Sequence, residues 1–104
     1  LFYLNVYWKG QNAVVVFSEQ EDTAKRVFAI LDVIELKNIP RGFDVKTVGC
    51  QYGDAEGDVL VALVKPGKGE YVTLVRQAWI CNRDKIRVEA IGTKKVKCLN
   101  EGDD

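Results

Sequence analysis

The sequence predicts an α+β domain: an antiparallel sheet of about five to seven strands packed on one long helix, in the order ββαββββ(β). Three observations predict it. A capping box heads a stretch whose apolar residues recur at helical spacing, alternating apolar runs lie on both sides of that stretch, and turn-forming residues separate the runs. At 104 residues the chain is long enough for one core only, so residues 1–104 are read as a single domain.

The first element is a β-hairpin. In "FYLNVYW" Phe2, Leu4, Val6 and Trp8 alternate with Tyr3, Asn5 and Tyr7, and "KGQN" forms a turn before the β-branched run "AVVVFS". Ser18 with Glu21 then makes the S-x-x-E capping box, after which Ala24, Val27, Phe28, Leu31 and Ile34 share one helical face. A helix over about 19–36 is the expectation. Glu21 with Lys25 and Asp22 with Arg26 give acid-first i,i+4 pairs on its wet side, and "KNIPRG" ends it.

Four strands follow in "FDVKTVGC", "DVLVALVK", "EYVTLVRQAWIC" and "KIRVEAI", with a fifth candidate in "KKVKCL". The turns between them predict an antiparallel meander. In it "PGKG" sets Val64 opposite Tyr71 and Leu63 opposite Val72, and loops at 82–84 and 92–94 align Ile80 with Ile86 and Ala90 with Val96. The face holding Val61, Leu63, Val72, Ile80, Val88 and Val96 would cover the helix. At the level of topology alone this resembles a β-grasp-like sheet, or a curved sheet of the cystatin and nuclear transport factor kind.

Fifteen Lys and Arg balance fifteen Asp and Glu, so no global field draws the chain to nucleic acid or membrane. Charge is nevertheless segregated: Arg76 to Lys97 carries seven basic and two acidic residues, while "EQED", "GDAEGD" and "NEGDD" are acidic. The longest apolar run, "VLVALV", is far shorter than the roughly 20 residues of a membrane-spanning helix. Three Cys in a chain of this size are read as reduced, buried thiols. The compartment is left open, an upstream signal or anchor included.

Because "VLVALV" is apolar on both sides, Leu60, Ala62, Val64, Tyr71 and Val75 form the expected protein interface, on the outer side of the sheet. The function expected is therefore a non-enzymatic module that binds a protein partner, a second copy included. The alternative is nucleic-acid binding on the basic hairpin 83–97, with Trp79 as a stacking platform and Arg87, Lys95 and Lys97 as phosphate contacts. Third comes a small-ligand carrier with a pocket between sheet and helix.

Catalysis finds little to work with. The chain has no His, which removes the commonest general base and every His-dependent triad or zinc site. Cys50, Cys81 and Cys98 lack C-x-x-C spacing, and Asp32 with Glu35 reads as a solvated helix pair. Asp54, Glu56 and Asp58 in "DAEGD" loosely resemble the start of a calcium loop but lack its downstream carboxylate, so an acidic hairpin loop is the reading taken. No catalytic residue, metal site or cofactor is expected.

Overall fold

The computed structural model describes residues 2–22, 24–25, 27–54, 59–72 and 74–100, and among them it is all-β. Nine strands form three antiparallel sheets: β1 (Phe2–Lys9), β2 (Asn12–Asp22) and β3 (Val27–Leu36) in the first, in that order. The second has the order β4-β6-β7-β8, from β4 (Asp44–Lys46), β6 (Leu60–Lys65), β7 (Leu74–Asn82) and β8 (Arg87–Ile91). The third pairs β5 (Cys50–Tyr52) with β9 (Val96–Cys98). The expected helix over 19–36 is absent, and with it the α+β class and both topological likenesses.

The chain divides into two compact units. The first comprises Leu1–Arg41 with Asn82–Val88. Its opening hairpin is the one expected, with Lys9 opposite Asn12 and Gly10 at φ +60°, the glycine-first geometry of a type II′ turn. Where a helix was expected, β2 runs on to Asp22 and β3 returns along it. Ser18 caps nothing; it is buried in the middle of β2, opposite Tyr3 and Ile30.

Two bulges explain the misleading periodicity. Phe17 pairs with Asp32 but Ser18 with Ile30, so Leu31 is an extra residue on β3; further on, Glu21 is extra on β2. An inserted residue shifts a two-residue alternation by one, and the apolar positions then fall at spacings of three and four, as on a helix. The β-branched Val27, Ile30, Val33 and Ile34 favour the extended choice. The side chain of Asp22 and all of Arg26 lie outside the described residues, and with them one of the expected helical ion pairs.

One face of this sheet is its core side. Ala13, Val15 and Phe17 of β2 are at most 2% exposed, beside buried Ile34 and Leu36 of β3, and the Phe2 ring stacks on Phe17 at 5.6 Å. Asp32 projects from the same side, where Oδ1 accepts from the Val33 amide at 2.8 Å and Oδ2 from the Val88 amide at 2.7 Å. Asp32 and Glu35 therefore occupy opposite faces of a strand. After β3 the chain is tied to the hairpin turn by the Asn38 amide on Asn12 Oδ1 and the Ile39 amide on the Gln11 carbonyl.

The second unit comprises Gly42–Cys81 with Glu89–Asp104. Its centre is β6, where Leu60 to Val64 are all buried, whichever side of the sheet they face. β6 pairs with β7 from Leu60↔Ile80 to Lys65↔Leu74, with a bulge after Leu63. The tight "PGKG" hairpin does not form. Val64 faces Val75 rather than Tyr71, and the chain from Glu70 to Val72 leaves β6 to lie along β9, joined by the Tyr71↔Leu99 bridge, the Val72 amide on the Cys98 carbonyl and the Asn100 amide on the Glu70 carbonyl. The Asn100 side chain holds the loop in place, donating to the carbonyls of Gly69 at 3.1 Å and Tyr71 at 3.3 Å.

The Cys98 carbonyl is taken, and its side chain too is spoken for. Cys50 stands opposite Cys98 across β5 and β9, and the two are joined in a disulfide with Cα atoms 4.0 Å apart; the buried Cys81 takes part in no disulfide. The expectation of three reduced thiols is corrected accordingly. The Leu99 amide on the Gly49 carbonyl and the Gly53 amide on the Lys95 carbonyl mark Cys50 and Cys98 as a non-hydrogen-bonded pair, in which opposed side chains stand closest. The bond caps the core cluster of Ala62, Val64, Val72, Ala78 and Val96.

Two outcomes follow from these contacts. The disulfide closes a separation of 48 residues, so chain entropy sets its contribution at about 4 kcal/mol, and reduction or the pair Cys50→Ser, Cys98→Ser should lower the urea midpoint accordingly. An unchanged midpoint would count against it. Asp32→Ala should cost about 2 kcal/mol by stranding the Val88 amide, whereas Asp32→Asn, which keeps one acceptor, should cost less in the same titration.

Candidate binding face

The other side of the β1-β2-β3 sheet is built differently. In register across it lie Tyr7, Val14 and Glu35, then Asn5, Val16 and Val33, then Tyr3, Ser18 and Ile30, and finally Gln20 and Phe28. Tyr7 is 61% exposed, Ile30 68% and Phe28 50%, and Tyr3 and Val33 are exposed as well. Val14 and Val16, on the central strand, are only half-covered by their neighbours. Apart from Glu35 at one edge, no charge interrupts this surface between Tyr7 and Phe28.

The surface is ordered by contacts within itself. Tyr3 and Phe28 meet edge to face at 5.5 Å across the width of the sheet, and the Tyr3 hydroxyl donates to Gln20 Oε1 at 3.0 Å. The two rings are thereby held in a fixed mutual orientation while both remain exposed. At the hairpin end, Tyr7, Val14, Lys9 and Lys37 line a depression of about 230 Å³. That volume is below the roughly 300 Å³ at which small-molecule pockets begin. The carrier's pocket between sheet and helix has no counterpart, since the helix does not exist.

The expected interface residues are dispersed. Leu60, Ala62 and Val64 are 2% exposed or less and belong to the interior of the second unit; Val75 is half-buried against the same cluster. Only Tyr71 reaches the surface, at 42%, with the Lys97 ammonium 5.1 Å above its ring. Both sides of "VLVALV" did want cover, and the chain supplies it.

The basic hairpin is divided as well. β8 pairs with β7 and β9 with β5, so Arg87 belongs to one sheet and Lys97 to another; Lys95, exposed, directly precedes β9. Trp79 is half-covered and stands opposite buried Val61 of β6. No strand pair sets these four side by side. Glu56 and Asp58 of the acidic loop, and the tail from Glu101 onward, lie outside the described residues. Among the described residues, no three of Cys, Asp and Glu gather as a metal would require.

No protein-family model matches this chain, and no curated protein or solved structure does either. The fold and the exposed face therefore carry the functional reading alone.

If the outer surface is free of any structural duty, Ile30→Lys should change stability by no more than about 0.5 kcal/mol. Phe17→Ala, at the same level of the sheet but on its core side, should cost about 3–5 kcal/mol. Comparable losses in thermal or urea unfolding would mean that the two faces are not distinct.

Proposed function

We propose that the chain is a non-enzymatic binding module that presents the outer face of β1-β2-β3 to a protein partner. The observation that carries this reading is the run of exposed Tyr3, Tyr7, Phe28, Ile30 and Val33 on a single sheet face. Singly scattered apolar residues are ordinary on a surface, but a contiguous group on a rigid sheet is the form that interfaces take. Covering an exposed Ile or Phe side chain completely contributes about 1.5–3 kcal/mol each. Tyrosine suits such a surface because its ring loses little rotamer freedom and its hydroxyl still finds a polar partner.

The chemistry of the face selects among the functions considered. It has no basic group between Tyr7 and Phe28, so phosphate backbones gain nothing there, and it forms no enclosed cavity for a small molecule. A protein surface with its own apolar centre and a rim that pairs Lys9 and Glu35 complements it.

The test is site-specific photocrosslinking in the cells that make the protein, with benzoylphenylalanine at position 30 and, as control, at exposed position 51. Discrete adducts of one identified protein from position 30, lost with Phe28→Glu and missing from position 51, are the expected result. Equal or absent labelling at the two positions would remove the reading.

A further inference from the structure

We propose, beyond that reading, that the chain pairs with a second copy of itself along β1, antiparallel, about a two-fold axis through Asn5. β1 is the terminal strand of its sheet, and none of its eight residues is buried, whereas Ala13, Val15 and Phe17 on the adjoining strand are. Even its core-side residues are incompletely covered: Leu4 and Val6 are half-exposed, and Trp8 is 45% exposed. An open strand edge is a row of unpaired donors and acceptors, and soluble chains commonly guard it with charge, proline or a bulge. From Phe2 to Trp8 there is no charge and no proline, and the pairing with β2 from Phe2 to Lys9 has no bulge on β1.

The geometry then selects one register. With a two-residue turn closed by Lys9 and Asn12, the hydrogen-bonded pairs of β1 with β2 fall at Lys9, Tyr7, Asn5 and Tyr3. The backbone groups of Phe2, Leu4, Val6 and Trp8 are thus directed to the open edge. Two copies bond through these groups only if even-numbered residues oppose even-numbered ones, and a one-residue slip would set the core side of one copy beside the outer face of the other. Centring the pair on Asn5 puts Phe2 opposite Trp8, Leu4 opposite Val6 and Tyr3 opposite Tyr7, with Asn5 facing Asn5. All seven residues are then matched by character, aliphatic to aliphatic and aromatic to aromatic. Shifting the centre to Val6 would set Tyr3 against Lys9 and Asn5 against Tyr7, and shifting it to Leu4 would set Tyr3 against Asn5.

Charge agrees with the antiparallel choice. Lys9 closes one end of β1, while Glu19, opposite Phe2, and Glu21 stand at the other end of the sheet. An antiparallel pair brings the basic end of each copy to the acidic end of its mate, as a parallel one would not. The product is a six-stranded sheet in which two outer faces continue into one, and a two-fold contact of this kind closes on itself without growing into a fibre.

Sedimentation velocity on the intact, disulfide-bonded chain, together with thiol trapping, tests the pairing. Wild type should sediment as a concentration-dependent dimer, and Val6→Pro, which removes one edge donor, should weaken the dimer at least about tenfold while leaving the far-UV spectrum unchanged. Asn5→Cys should oxidise to a covalent dimer through the two introduced thiols, located by mass spectrometry, faster than the exposed control Gln51→Cys. A monomer at every concentration, or trapping no faster than the control, overturns the proposal. Neither result bears on photocrosslinking at position 30, which sits on β3 at the far side of the sheet, so the two readings fail separately.

Discussion

Burial of β6 on both of its sides is the constraint from which the second unit is built. Five consecutive side chains, Leu60 to Val64, contain no polar group, and such a strand is stable only in the interior of a sheet with both sides covered. It is accordingly hydrogen-bonded on both edges, by β4 and β7. Covering Ala62 and Val64 draws in Val72, Ala78, Val96 and Cys98. For Val72 to reach that cluster, the chain after Lys65 gives up the tight hairpin and swings to β9, and the Cys50 to Cys98 bond then fixes β9 and β5 as a pair.

Most strands were legible because their signals are local. The alternation of Phe2 to Trp8, the turn at Gly10 and the runs around residues 60–65, 74–82 and 87–91 fall where period and turn chemistry place them. The helix was not, because residues 18–34 satisfy two periods at once. A capping-box pair and apolar residues at three and four agree with a helix, while β-branched residues with two bulges agree with a pair of strands. Local propensity amounts to a few tenths of a kcal/mol per residue. The hydrogen-bonding edge that β2 offers, and the burial of Ile34 and Leu36 beside Val15 and Ala13, outweigh it. A bulge is a property of two strands together, and one strand's pattern cannot display it.

The cysteines show the same limit at longer range. Neither spacing nor neighbours of Cys50 and Cys98 distinguish them from Cys81. What distinguishes them is that β9 turns from β8 to β5, a non-local pairing that no hairpin signal announces. The same turn parts Arg87 from Lys95 and Lys97, which is why a basic cluster that is contiguous in sequence does not survive as a strand pair. Asp32 was visible as a carboxylate, yet its role as acceptor for the Val88 amide depends on a partner far along the chain.

The candidate face follows from a comparison the sequence does contain. Among the runs that are apolar at successive positions, "AVVVF" at 13–17 and "VLVALV" at 59–64 lie on strands flanked on both edges, and each gives its strand two apolar sides. In β6 the chain covers both. In β2 it covers the side of Ala13, Val15 and Phe17 fully, but leaves Val14 and Val16 to the partial shelter of Tyr7, Asn5, Val33 and Glu35 on the flanking strands. Further along that side the flanking strands hold Tyr3, Phe28 and Ile30, where a sheet side meant only for water would hold Lys, Thr or Glu. Residue choice on β1 and β3 thus extends the apolar character of the central strand outward instead of ending it, and the incomplete cover of β2 is the physical basis for expecting a second protein surface there.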